Sequence, residues 1–204
     1  MTINNIQKEI QSKANPKKAK VYQRFFKTGK GEYGEGDIFL GIQVPEAREI
    51  AKKYSNLSFK EIQSLLKSKI HEERLIVLLI LVENYQKSEE KIKETIFNFY
   101  LDNIKYINNW DLVDLSADKI IGHYLLNKEK DILYKLSKSE NIWERRISMV
   151  ATFHFIKNNQ FQDTLKIAEI LLNDKHDLIH KAVGWMLREI GKRKQETLEN
   201  FLKN

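Results

Sequence analysis

Four apolar blocks, each opened by a charged residue, recur at nearly constant intervals and constrain the fold more than any other feature. Arg74 precedes LIVLLILV, Asp111 precedes LVDLSADKI, Arg146 precedes ISMVATFHF and Lys181 precedes AVGWMLREI, giving steps of 37, 35 and 35 residues. Across these blocks apolar residues return at three- and four-residue spacing, which is the period of an amphipathic helix rather than of a strand. Helices this short cannot bury an apolar stripe alone, and a helix pair about every 35 residues is the pattern of stacked repeats. Tetratricopeptide arrays share the period, but their W-x-x-L-G-x-x-Y pattern is missing, so HEAT-like stacking is preferred. The predicted fold is all-α: a single domain over 1–204 forming an α-solenoid of HEAT-like helix pairs, curved with a concave basic groove.

Two prolines and eight glycines leave little of the turn punctuation that an all-β chain needs. Helices are expected near 3–13, 16–27, 45–54, 58–69, 72–86, 89–103, 110–127, 129–138, 142–157, 161–173, 177–191 and 194–203. Local signals support several ends. Pro16 and Pro45 sit at first helical positions, and Ser58 with Glu61 forms a capping box. One segment, TGKGEYGEGD at 28–37, holds four of the eight glycines and reads as a loop. Gly29, Gly31 and Gly34 formally match G-x-G-x-x-G. The residues before them read as helix rather than strand, however, and Glu32, Glu35 and Asp37 would repel a pyrophosphate, so dinucleotide binding is set aside.

The chain has no cysteine, which excludes disulfides, Cys-ligated zinc, iron–sulfur clusters and alkyl transfer to a thiol. Its N-terminus lacks the apolar core of a signal peptide, and the longest apolar run, 75–82, is too short to span a bilayer; a soluble, cytoplasmic protein is expected. The net charge of +7 is concentrated: residues 1–30 hold eight Lys or Arg and one acid, while the remainder balances at 27 of each. Such a segment favours polyanionic partners through steering and counterion release, although charge alone leaves nucleic acid and no nucleic acid equally open.

His176 and His180 lie at i, i+4 and nearly match H-E-x-x-H, but Asp177 replaces the general base and no third ligand follows, so a solvated helix start is preferred to a metal site. His71, His123 and His154 are isolated and read as ordinary buried or surface histidines. Trp110 and Asp114 share one helical face, one turn apart, with Asn108 or Asn109 as the cap. For Asp111 and Asp118 the preferred role is structural: helix-dipole partners or ties between neighbouring repeats. If the repeats stack in register, Trp110 and Asp114, Arg145 and Arg146, and Trp185 occupy equivalent turns. A carboxylate between indoles, beside an arginine able to grip phosphate, suits positive charge developing near a nucleic-acid backbone. Ordinary packing tryptophans remain the other reading.

At these residues the sequence resembles the AlkD-type alkylpurine DNA glycosylases, which are built from HEAT-like repeats. The resemblance covers nearly the whole chain and rests on FLGIQVPEAR (39–48), NNWDLVDLSA (108–117), NIWERRIS (141–148) and KAVGWMLREIGK (181–192), in that order. It implies that Asp114 is the catalytic carboxylate, that Trp110 and Trp185 are the aromatics against the sugar, and that Arg146 contacts the DNA backbone beside the lesion. Arg145 is the less secure arginine, since relatives need none there. The implied activity is hydrolysis of the N-glycosidic bond of N3- and N7-alkylated purines such as 3-methyladenine and 7-methylguanine in duplex DNA, a step in base excision repair of DNA damage. The resemblance further implies that sugar and phosphate are engaged without a base-flipping pocket.

The expected protein is a monomeric, monofunctional hydrolase with no metal or cofactor, nucleoid-associated when bound to DNA. Lys17, Lys18 and Lys20 are candidate phosphate contacts, with solvated lysines as the equal alternative. Two competitors stand beside this reading: a non-catalytic HEAT-like DNA-binding scaffold, and a solenoid whose concave face takes an acidic peptide. The glycine-rich loop and the basic helix that some relatives have beyond the position of Asn204 are the two departures from the family pattern.

Overall fold

A computed structural model describes residues 2–203. Its helices are α1 (Ile3–Ser12), α2 (Pro16–Phe25), α3 (Val44–Lys53), α4 (Phe59–Leu66), α5 (His71–Lys87), α6 (Glu90–Asp102), α7 (Trp110–Ala117), α8 (His123–Leu125), α9 (Asp131–Ser137), α10 (Ile142–Ala151), α11 (Phe153–Lys157), α12 (Gln162–Leu171), α13 (Asp177–Gly191) and α14 (Gln195–Leu202). The protein is all-α: among the described residues there is no strand, only one parallel bridge between Ile38 and Ile70. None of the described helices is long and apolar enough to cross a membrane. Two of the expected helix starts are present: Pro16 begins α2, where Asn15 also caps by accepting from the Lys18 amide, and Ser58 and Glu61 exchange the reciprocal bonds of a capping box.

Contacts divide the chain into two compact units that meet in sequence between Leu112 and Val113. In the first, α5 is the central element, buried without interruption from His71 to Val82 and packed by α1, α3, α4 and α6. The block at 75–82 thereby departs from the amphipathic pattern expected of it: a stretch apolar on all sides belongs inside a core. In the second, α10 packs on α9, α12 and α13, and α13 on α14. The FLGIQVPEAR segment enters α3 through Gly41, at φ +85, where a side chain would collide with the backbone of Asn15 and Ala19.

The segment expected as one helix over 110–127 is α7 and α8 joined by a π turn, Asp118–Gly122. Gly122 allows that turn to lie directly on the Ala151 carbonyl, where an added Cβ would fall inside the van der Waals contact of the oxygen. Gly122→Ala should therefore destabilise the fold by about 1–3 kcal/mol through overpacking against backbone, read as a lowered urea midpoint with an unchanged slope; an unshifted midpoint would contradict this packing. The helix expected over 142–157 divides at Thr152, whose hydroxyl donates to the Met149 carbonyl at 2.7 Å and so competes with the backbone ladder.

Candidate functional site

In the second unit a polar ladder links three helices. Arg146 on α10 donates from Nε and Nη2 to the two carboxylate oxygens of Asp114 on α7, at 2.9 and 2.8 Å, and from Nη1 to the Leu178 carbonyl on α13. Both steps of the ladder, 114 to 146 and 146 to 178, are 32 residues long, three short of the 35-residue spacing of the apolar blocks, so each bond joins turns one turn out of register. The guanidinium is planar and fork-shaped, and the bidentate pair fixes the carboxylate in rotation as well as position. The Arg146 side chain is only 6% exposed, whereas that of Asp114 keeps 21%, so the carboxylate is the wetter partner. Arg146 thus stands first as the holder of Asp114.

Trp185 is half-buried on α13, with its ring 5.5 Å from that of Phe153. Lys157 lies over the other partner of this pair, 4.1 Å from the Phe153 centroid, and donates to Asp118 at 2.8 Å. Asp118 also takes Lys119 and is itself buried, so it is a tie between helices. Arg145 points elsewhere from Arg146. Its Nε donates to Asp174 at 2.6 Å and its Nη1 to the carbonyls of Ser139 and Glu140. Burial works against the Asp174 carboxyl, but Arg145 and the His176 amide overcome it and hold its pKa below the ordinary value. His176 caps α13 through Nδ1 and Asp177 pairs with Lys181, and among the described residues no three His, Cys, Asp or Glu side chains group as a metal site.

The first unit supplies Trp110, which begins α7 one turn before Asp114 and donates its backbone N–H to the Asn109 side-chain oxygen at 2.8 Å. Its indole stacks on Phe26, with centroids 5.0 Å apart and planes within 6°, and meets the edge of Phe25 at 5.9 Å. Phe26 stacks in turn on Phe39, and Phe39 on the His71 imidazole at 4.3 Å. A cavity of about 180 Å³ lies against these rings, walled by Tyr22, Phe25, Phe26 and Phe39, with His71 and Asp111 also lining it.

His71 is the buried centre of this unit. Its Nδ1 and Nε2 face Asp37 at 3.2 Å and Asp111 at 2.7 Å, and Arg74 reaches the same Asp37 oxygen at 2.6 Å. Burial alone would lower the imidazole pKa, but Asp111 and Asp37 outweigh it and raise the value to about 9, so both ring nitrogens carry protons and donate. Asp37 feels burial first, and His71 and Arg74 overcome it to hold that carboxyl below its usual range. The glycine-rich loop delivers this aspartate. Within it, Glu32 and Glu35 accept from the amides of Gly29 and Gly31, so the G-x-G-x-x-G segment binds its own acids. The pairing of the isolated His71 with Asp37 and Asp111 was not legible in the sequence, because these partners lie 34 and 40 residues away.

On α2 the three lysines separate. Lys17 and Lys20 are exposed, whereas Lys18 donates to the Gln43 side chain at 2.7 Å. Lys17 and Lys20 share a shallow concavity with Val21, Arg24 and Phe25, and Val21 and Phe25 are each 62% exposed. Arg24 and Phe25 were not singled out from the sequence, though their i+7 and i+8 spacing from Lys17 places them on the same helical face. If this face grips phosphate, Lys20→Ala should reduce the slope of log affinity against log salt by about 0.9 for duplex DNA of any sequence, whereas Lys18→Ala should leave it near native. An unchanged slope in Lys20→Ala would remove α2 from the interface.

These features, an all-helical protein with a carboxylate fixed by an arginine and a basic helix, coincide with a family match. The chain matches the DNA alkylation repair enzyme family over residues 6–204 and belongs to that family. It is thereby a DNA repair enzyme with DNA as its substrate. Its fold is similar to that of a structure described as a predicted DNA alkylation repair enzyme from Enterococcus faecalis, with a TM-score of 0.73 and 20% identity over 94% of this chain and 89% of that one. No curated protein matches the sequence.

Proposed function

We propose that the chain is a monofunctional alkylpurine DNA glycosylase that hydrolyses the N-glycosidic bond of N3- and N7-alkylated purines in duplex DNA. The observation that carries this reading is the Asp114 carboxylate, locked by Arg146 in a bidentate pair yet still 21% exposed, on the helix that Trp110 begins. In this reading the helix pairs stack as a curved HEAT-like solenoid, acting as a monomer, with a basic concave face on the DNA.

Alkylation at N3 or N7 makes the base cationic, so it departs as a neutral leaving group without a general acid. The bond between C1′ and the base nitrogen breaks with its electron pair moving to the base, and the sugar becomes oxocarbenium-like. Asp114 stabilises that charge and orients the attacking water, whose proton it accepts as the new C–O bond forms. The faces of Trp110 and Trp185 support the cationic sugar. Arg146, expected from the resemblance at the DNA backbone, is only 6% exposed and engaged with Asp114 and the Leu178 carbonyl, so its part is to position the carboxylate, while Lys17 and Lys20 hold the backbone. No cofactor enters these steps.

The mechanism is selective for charged lesions, because a neutral base would need protonation before it could leave. Matched duplexes containing 7-methylguanine or hypoxanthine separate the possibilities: the expected result is release of the first and not of the second, and comparable release of both would overturn the charge argument. A second reading, a non-catalytic DNA-binding scaffold, is favoured by one observation, that both Asp114 oxygens already accept from Arg146. It requires that neither base is released.

A further inference from the structure

Four rings in the first unit form a continuous column. The Trp110 indole lies flat on Phe26, Phe26 on Phe39, and Phe39 on the His71 imidazole, with centroids 5.0, 4.6 and 4.3 Å apart and planes within 25° at every step. Phe25 closes one edge of the indole at 5.9 Å. Trp110 is half-buried, and with one face on Phe26 it can meet a sugar only through the opposite face. The pose of the indole is thus set by a stack whose far end is a titratable group.

A second route from His71 runs through polar bonds and returns to the same residue. Nε2 of His71 binds Asp111, the neighbour of Trp110 in α7, at 2.7 Å, and Asp111 accepts from the Leu112 amide at 2.8 Å. Nδ1 faces Asp37, which takes a long bond of 3.5 Å from the side-chain amide of the fully buried Asn109. The Asn109 oxygen accepts from the Trp110 backbone N–H at 2.8 Å. His71 therefore grips both sequence neighbours of Trp110, one directly and one through Asp37. Asp37 is also held by Arg74 at 2.6 Å, whereas the cation paired with Asp111 is His71. The ring must carry both protons to serve both acids, since a neutral imidazole would turn a bare nitrogen toward one carboxylate, lone pair against lone pair. Burial opposes the charge most and Arg74 adds to that, but Asp111 and Asp37 outweigh both and raise the pKa to about 9. The other titratable groups nearby are Glu72, bound by the amides of Leu40 and Gly41, and Tyr22, edge-on to Phe39.

We infer that His71 is a positioning residue of the repair reaction, holding the Trp110 indole, through the ring column and through Asp111 and Asn109, in the pose whose open face meets the sugar. What Trp110 does there rests on the glycosylase reading, but the tie between His71 and the indole does not. A misplacement of about 1 Å costs on the order of 10²-fold in rate, so a histidine separated from the indole by two phenyl rings acts on the reaction without touching DNA. Loss of the imidazole charge then loosens the indole as well as the buried acids.

The test uses the full chain labelled with 5-fluorotryptophan, in which the three tryptophans give three fluorine resonances. Trp110 is assigned by its loss in Trp110→Phe, and Trp143 and Trp185 serve as internal references. As pH rises from below 6.5 to well above 9, the Trp110 resonance of the native chain should shift with a midpoint of about 9, a result that needs no variant to fold. His71→Gln should displace this resonance and remove its titration. In single-turnover release of 7-methylguanine, well below every melting temperature, His71→Gln should slow the native chain by about tenfold or more but slow Trp110→Ala by less than about twofold, because its effect passes through the indole. A Trp110 resonance that does not titrate, or equal slowing in both backgrounds, would overturn the inference; the latter would reduce His71 to a stabilising group. A native chain that releases no base would instead remove the glycosylase reading, and a titrating Trp110 resonance in that chain would keep the tie to His71.

Discussion

Asp114→Asn is expected to slow release of 7-methylguanine from duplex DNA by on the order of 10²–10³-fold, the loss typical when a preorganised electrostatic group is removed from a developing charge. Duplex affinity should change little, because in the proposed mechanism the carboxylate acts on the sugar in the transition state and makes no phosphate contact. The substitution is close to isosteric but takes away the negative charge and one of the two acceptors that Arg146 uses at 2.9 and 2.8 Å. One lost charge-assisted bond costs stability as well, about 1.5–3 kcal/mol. Single-turnover release, with protein in excess and well below the melting temperature of the variant, separates the two effects. A variant releasing base within about threefold of the native rate would place the reaction elsewhere.

The second large effect concerns stability. His71→Leu leaves Asp111 buried with its imidazolium partner gone and leaves Asp37 with Arg74 and a long bond from the Asn109 amide, and breaking a buried ion pair from one side costs about 3–5 kcal/mol. The same group sets a pH dependence of definite sign. Its pKa is raised from 6.5 to about 9 in the folded chain, so its contribution is complete below pH 6.5 and is lost as pH rises through 9. The decline across that window should be on the order of 3 kcal/mol. Asp37, held below its ordinary value, acts in the opposite sense: its contribution is present at neutral pH and fades on acidification. Urea unfolding of the native chain at pH 6.5 and 9 should therefore show the alkaline loss, and His71→Leu should abolish it. A native midpoint independent of pH over this range would show that His71 is not the buried cation between the two acids.

Helix positions were legible because the periodicity that predicts them is a local property. The end of α13 at Gly191, the start of α2 at Pro16 and the capping box at Ser58 all follow from residues within four positions. What periodicity could not show is where two helices come close enough to alter one another. The π turn at Asp118–Gly122 arises where Gly122 meets Ala151, and the break at Thr152 follows that carbonyl by one residue. The site divides along the same line. Trp110 and Asp114 are neighbours within one helix, so their spacing alone placed them on a common face. Arg146 was legible as a candidate but not as the partner of Asp114, because that pairing needs α7 and α10 side by side. Arg145, adjacent in sequence, turns to Asp174 instead.

The buried cluster was the least visible feature. Glu72 and Glu73 open α5, a place where acidic residues are ordinarily solvated and favoured by the positive end of the helix dipole. In the fold they are inside, at 1% and 2% exposure, where the amides of Leu40, Gly41 and Ile42 bind Glu72 and the Gln7 side chain on α1 donates to Glu73. The loop that looked like an insertion is the element that carries Asp37 to His71.

Incubation of the full chain with methylated duplex DNA in EDTA, followed by chromatography of the released bases, tests the glycosylase reading most directly. The expected result is 7-methylguanine and 3-methyladenine above the spontaneous rate, with abasic sites in equal number and no strand cleavage by the protein itself. Release no faster than in the protein-free control, with duplex binding retained, would contradict it and leave Asp114 and its arginine as a structural tie in a DNA-binding scaffold.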